Sequence, residues 1–240
     1  MRCFPGRLPV LILLLAGCGT DETRPGSDGA WHVYPGEDIQ AVLDRAAADP
    51  RHKHVVVHEG TYRPARPAQA LIWLHRDHDG LLLEASGRVV LTAANPDLAD
   101  REAESFPAIV NHVVYFGDGI SARTVLRGFT ITGANRFQTR SDDPGPVEPN
   151  RPELGKQNLL FFYCDGGGIK IFGRSYPRLE RIEVHGNTSD PCGAGISIQP
   201  LGFQRGGPSG SFGGSSNGRA TVAICGIQIL CFKSAPITKP

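Results

Sequence analysis

Two stretches of this chain repeat each other almost position for position, and any fold it adopts must place like beside like. Residues 126–133 (LRGFTITG) align without gaps on residues 179–186 (LERIEVHG), with apolar side chains in the same places and Asn135 and Asn187 just beyond the turn. A second pair, GIKI at residues 168–171 and GISI at residues 195–198, is separated by 27 residues. In both, isoleucines alternate with a polar residue, so Ile169 and Ile171, like Ile196 and Ile198, point inward while Lys170 and Ser197 point out. Repeats of this length, made of short strands and polar turns, bury their apolar face only by stacking on their neighbours.

Composition agrees with short strands. The chain has 30 Gly, 19 Pro and a single Met, which disfavours a helical bundle and favours many turns. Apolar runs at residues 55–57, 71–74, 81–83, 89–91 and 113–116 are each bounded by Gly, Asp, Asn or Pro. One segment departs from this pattern. Ile39, Val42, Leu43 and Ala46 recur at helical spacing and predict a helix over about residues 37–48, with Glu37 and Asp38 suiting its dipole and Asp49 and Pro50 ending it. With 25 Lys+Arg against 24 Asp+Glu, there is no basic excess to suggest a nucleic-acid partner.

Residues 1–18 read as an export signal: Arg2 and Arg7 precede an uncharged apolar run from Leu8 to Ala16, too short to span a bilayer. The run ends in Leu15, Ala16, Gly17 and Cys18, which resembles the lipobox of bacterial lipoproteins; an ordinary cleaved signal or an N-terminal helix is the alternative. The resemblance makes Cys18 the lipidation site and the membrane the first partner, since acyl chains anchor at about 0.8 kcal/mol per buried CH₂. Gly19 after the cysteine points to the outer membrane or cell surface, and residues 19–30 read as a flexible tether.

Further along, residues 33–40 (VYPGEDIQ) with the helix, 57–62 (VHEGTY), 128–134 (GFTITGA) and 165–171 (DGGGIKI) resemble the right-handed parallel β-helix superfamily that includes pectate and pectin lyases. The resemblance covers about residues 31–202. It implies an all-β fold, a right-handed single-stranded parallel β-helix with a short N-terminal capping helix, truncated at its C-terminal end. Stacked coils would place Cys164 and Cys192 on adjacent turns about 4.8 Å apart, a spacing a disulfide tolerates, with two buried free thiols as the equal alternative. With Cys225 and Cys231 they make four mature-chain cysteines and three pairings.

That superfamily also implies carbohydrate as the partner. Its lyases hold Ca²⁺ on aspartates and use an Arg or Lys to abstract the proton beside a uronic-acid carboxylate. Here no strand-borne Asp cluster matches, and residues 174–178 (RSYPR) fit the arginine signature only faintly. The expectation is therefore a surface-anchored lipoprotein that binds polysaccharide without catalysis and requires no cofactor. A polysaccharide lyase using Ca²⁺, a glycoside hydrolase, and a structural surface repeat protein are the alternatives. Three constellations could carry chemistry. Glu183 and His185 share one strand face, and an acid beside an imidazole suits general acid–base catalysis. Asp77 and Asp79, within residues 75–80 (HRDHDG), could hold a metal through oxygen ligands. Asp142 and Asp143 sit in a proline-rich loop, residues 135–158, that with the shorter loop 94–107 is a candidate ligand-binding border.

The tail breaks with the rest. Residues 191–240 contain no Asp or Glu against four basic residues, and residues 202–218 hold seven glycines and four serines. Residues 203–240 thus read either as a shifted or truncated reading frame interrupting a longer repeat domain, or as a linker with a last strand.

Overall fold

The structure, a computed structural model, describes residues 24–137, 167–189 and 193–199. Cys18, Asp142, Asp143, Cys164 and Cys192, and the tail over residues 203–240, lie outside the described residues.

Strand β1 (Trp31–Val33) leads into helix α1 (Ile39–Ala48). The Asp38 carboxylate starts that helix by accepting from the N–H groups of Gln40 and Ala41 at 3.0 and 3.2 Å. Its buried stripe is Ile39, Val42, Leu43 and Ala46, as the spacing predicts. There follow β2 (His54–Tyr62), β3 (Ala68–Leu74), a single 3-10 turn (Arg76–His78), β4 (Leu82–Thr92), β5 (Val110–Phe116) and β6 (Val125–Thr132). The last described strands are β7 (Ile169–Phe172), β8 (Arg178–Glu180), β9 (Glu183–Val184) and β10 (Ile196–Gln199). All pairings between these strands are parallel.

Strands from alternating points of the chain assemble into two sheets. One runs β1-β2-β4-β6-β8 with β9 also beside β6, and the other runs β3-β5-β7-β10. The internal repeats explain part of this arrangement, because the aligned residues are strand partners. Leu126 pairs with Leu179 and Ile131 with Val184 in the first sheet, while Ile169 pairs with Ile196 and Ile171 with Ile198 in the second.

The right-handed single-stranded β-helix expected from the sequence is corrected here. Among the described residues the strands form two sheets with few helices, an α/β-like arrangement, and not a closed solenoid of coils. The chain length between paired strands shows why a constant coil fails. Val55 pairs with Leu83, but the chain between Leu126 and its partner Leu179 is nearly twice as long. The runs at residues 81–83 and 89–91 also prove to be one strand, β4, with a register shift between Glu84 and Val89. β2 shifts similarly at Gly60, whose φ of +155° and 2.6 Å approach of a virtual Cβ to Pro35 leave no room for a side chain.

The two sheets share one core. Val55, Val57, Leu83, Leu91, Leu126 and Ile131 from the first meet Ile72, Leu74, Val114, Phe116 and Ile169 from the second, all essentially without solvent exposure. Each such side chain contributes about 1.5–3 kcal/mol on burial, so the stacked rows rather than local propensity hold the strands.

Corners are held by buried or half-buried carboxylates. Asp118 is fully buried and accepts from the Arg174 backbone N–H at 2.7 Å and its guanidinium at 2.9 Å. Asp79 accepts from the Ser121 N–H at 2.7 Å, the Thr124 hydroxyl at 3.0 Å and the Arg123 guanidinium at 2.6 Å. Burial disfavours its charge, but these donors outweigh burial and pull its pKa down to about 2.

Candidate functional site

The outer face of the six-stranded sheet gathers the polar side chains that alternate with the stacked core. One residue after Leu83, Leu126 and Leu179 come Glu84, Arg127 and Glu180, one beside the other across β4, β6 and β8. Arg127 bridges the two acids, with Nε 2.8 Å from Glu180 Oε2 and Nη1 3.3 Å from Glu84 Oε1. His54 Nε2 lies 3.3 Å from Glu84 Oε2, Arg181 reaches Glu84 at 3.7 Å, and Arg178 also pairs with Glu180. The Arg127 guanidinium holds the Glu180 carboxyl below its usual range, against burial and with help from Arg178. Glu180, and then Glu84, raise the Arg127 pKa in return.

Toward the β1 edge, two residues along the strands from this row, the face becomes aromatic. The Tyr34 ring stacks on His58 with centroids 4.2 Å apart and planes 4° apart, and His32 stacks on His58 at 5.2 Å. His32 Nδ1 is 2.9 Å from His58 Nε2, and His32 Nε2 is 3.2 Å from Asp28 Oδ1. An imidazole pair sharing one hydrogen bond needs one neutral nitrogen as acceptor. Burial, then the neighbouring His32, accordingly push the His58 pKa down. Among the described residues β1 ends the sheet, with no strand beyond it, and Tyr34 is 39% exposed.

The sequence-predicted pair Glu183 and His185 lies at the other end of this face. His185 Nε2 is 3.7 Å from Glu183 Oε1, the Thr130 hydroxyl is 3.4 Å from Glu183 Oε2, and both side chains are at least half exposed. Asp77 and Asp79 are used separately: Asp77 is exposed and 3.5 Å from the His75 ring, while Asp79 is engaged by the turn at residues 121–124. Among the described residues no three His, Cys, Asp or Glu side chains are grouped to hold a metal ion.

Sequence reasoning missed the Tyr34, His58 and His32 stack. Two-residue spacing puts His32 and Tyr34 on one side of the chain, but His58 joins them only through the register of β1 on β2. It also missed the role of His78. That imidazole is buried, with Nε2 2.9 Å from Asp44 Oδ1 and Nδ1 accepting from the His75 N–H at 3.3 Å. Both ring nitrogens are therefore engaged, which fits a strut between α1 and the 3-10 turn.

No protein-family model matches the chain, nor does any curated protein or solved structure. The chemistry of the face itself is what bears on function. It offers an aromatic ring that is 39% exposed and, two residues along the strands, a row of hydrogen-bonding groups at the strand spacing of about 4.8 Å.

Proposed function

We propose that this chain is a lipid-anchored surface protein that binds polysaccharide on the exposed face of its six-stranded sheet, without catalysing a reaction on it. The observation that carries the reading is the stacked Tyr34 ring, 39% exposed, on the same face as the Glu84, Arg127 and Glu180 ladder and two residues along the strands from that row. A sugar ring presents polarised C–H groups on its flat side, which meet the negative face of an aromatic ring. Its hydroxyls find donors and acceptors along the ladder. Glu183 and His185, 3.7 Å apart and both at least half exposed, add a hydrogen-bonding pair to this face. Anchoring rests on the likeness of residues 15–18 to a lipobox, with the outer membrane or cell surface as the location.

The test uses the full chain against a panel of neutral and uronic-acid polysaccharides, with and without Ca²⁺, following co-sedimentation and the absorbance of unsaturated products. Binding without product is expected, weakened five- to ten-fold by Tyr34→Ala, which corresponds to about 1 kcal/mol of ring stacking. Unsaturated product would establish the lyase alternative, and absence of binding to every polymer would leave the structural-repeat alternative standing.

A further inference from the structure

Among the described residues the four-stranded sheet ends at β3, and the way that edge is finished points to a second binding site. In a parallel ladder the residues of a strand direct their backbone N–H and C=O alternately to either side. The Ala68 N–H donates to the Ile109 carbonyl at 3.3 Å and the Leu74 carbonyl accepts from the Gly117 N–H at 2.7 Å, so the even-numbered residues face β5. Trp73 faces the other way. There its N–H donates to Gln40 Oε1 at 2.8 Å and its carbonyl accepts from Gln40 Nε2 at 3.0 Å. The Gln40 carboxamide thus makes the pair of bonds that a residue of a neighbouring strand would make. Two residues earlier, the same alternation turns the Leu71 N–H and C=O to this side, and Leu71 lines a groove of about 570 Å³ between β3, the start of α1 and the turn at residues 63–66.

The charges lining this groove are not equally engaged. Glu37 accepts from the Tyr34 N–H at 2.7 Å, Asp38 caps α1, and Asp44 Oδ1 is bonded to Gln40 and His78. Arg63 and Arg66 are exposed on the opposite rim, and neither forms an ion pair among the described residues. The acids are tied to the protein's own backbone, amide and imidazole groups, while the two guanidiniums are open to an incoming carboxylate.

We propose that the groove beside β3 takes an extended acidic segment of a partner protein, which joins the sheet as a further strand by pairing with Leu71 and is oriented by Arg63 and Arg66. Strand addition gives affinity through main-chain bonds and specificity through the alternate side chains. The Gln40 carboxamide fixes where the added strand stops, one pairing short of Trp73. This site is separate from the ring and ladder proposed above to bind polysaccharide, and either can fail alone.

The probe is a capped seven-residue peptide alternating valine and glutamate, titrated into the full chain by calorimetry. Binding is expected to weaken at least ten-fold in the Arg63→Gln, Arg66→Gln double variant and to lose most of its salt dependence there. Both residues are exposed, so circular dichroism should show an unchanged fold. N-methylating every second peptide residue provides the strand signature: one phase abolishes binding and the other leaves it within two-fold. Equal tolerance of both phases, unchanged binding by the double variant, or no binding at all overturns the proposal. So does sedimentation showing that β3 pairs with a second copy of the chain, or an acidic polysaccharide displacing the peptide at equal affinity.

Discussion

In the six-stranded sheet the residues alternating with the stacked leucines, Glu84, Arg127 and Glu180, stand in a half-exposed ion-pair ladder. In the four-stranded sheet the corresponding outward row of Trp73, Tyr115, Lys170 and Ser197 is buried, with Lys170 and Tyr115 at or below 1% exposure. Both rows obey the same alternation. What differs is burial on the second face, the usual state of parallel sheets and not of half-solvated ones. The burial patterns of the strands say this directly: β2 alternates over much of its length, whereas β5 and β7 are buried at every residue. Outward polar residues are therefore open to solvent in the first sheet and part of the packed structure in the second, where the Lys170 ammonium lies 3.4 Å from the Ser197 hydroxyl.

The sharpest way to break this comparison is to delete one tyrosine from each outer row. Tyr115→Ala should cost about 3–5 kcal/mol, the range for a large buried ring, whereas Tyr34→Ala should stay within about 1 kcal/mol. Denaturant midpoints measure both, and equal shifts would mean that the two faces are not differently buried.

A smaller effect shows how the exposed sheet is held at its ends. Asp79 has a folded pKa of about 2 against an unfolded carboxyl near 3.9, so its stabilisation is complete above the unfolded value and lost as pH falls through the window toward 2. That window corresponds to about 2–3 kcal/mol. In Asp79→Asn the acid limb of a stability-against-pH curve should flatten by this amount.

Smaller again is the ladder itself. Arg127→Ala should lower the denaturant midpoint by less than the acid-limb effect of Asp79→Asn, because its pairs are partly solvated, and added salt should reduce the difference. The least effect belongs to His58. Its lowered pKa means that the fold prefers the neutral ring, so stability is full above the unfolded value near 6.5 and declines as pH falls below it. His58→Gln should remove that slope, as read from thermal midpoints between pH 5 and 8, and Tyr34→Ala, which uncovers the ring, should reduce it.

Much of the local structure was legible before any coordinates. Helix α1 falls within two residues of its expected start, because its apolar stripe and capping aspartate are local signals. The repeats at 126–133 and 179–186 pair as aligned, because matching apolar sets must share a face. The strands at 81–83 and 89–91 were read as two, since Gly87 mimics a turn when it in fact sits in a bend within one strand at a φ of +85°. The site was less legible. Glu183 and His185 were found by alternation alone, but the Tyr34 and His58 stack and the Gln40 bonds to Trp73 join residues far apart in the chain.

Sequence by itself determined which residues alternate, where the helix begins and which segments become partners, since each depends on spacing along the chain. Tertiary structure decided that the strands divide into two parallel sheets instead of one β-helix, and that Lys170 points out of the core yet away from water. It also decided that a glutamine on α1 completes the edge of β3. These depend on which face is covered and which strand has no neighbour, and both are properties of the assembled sheets that no local pattern encodes.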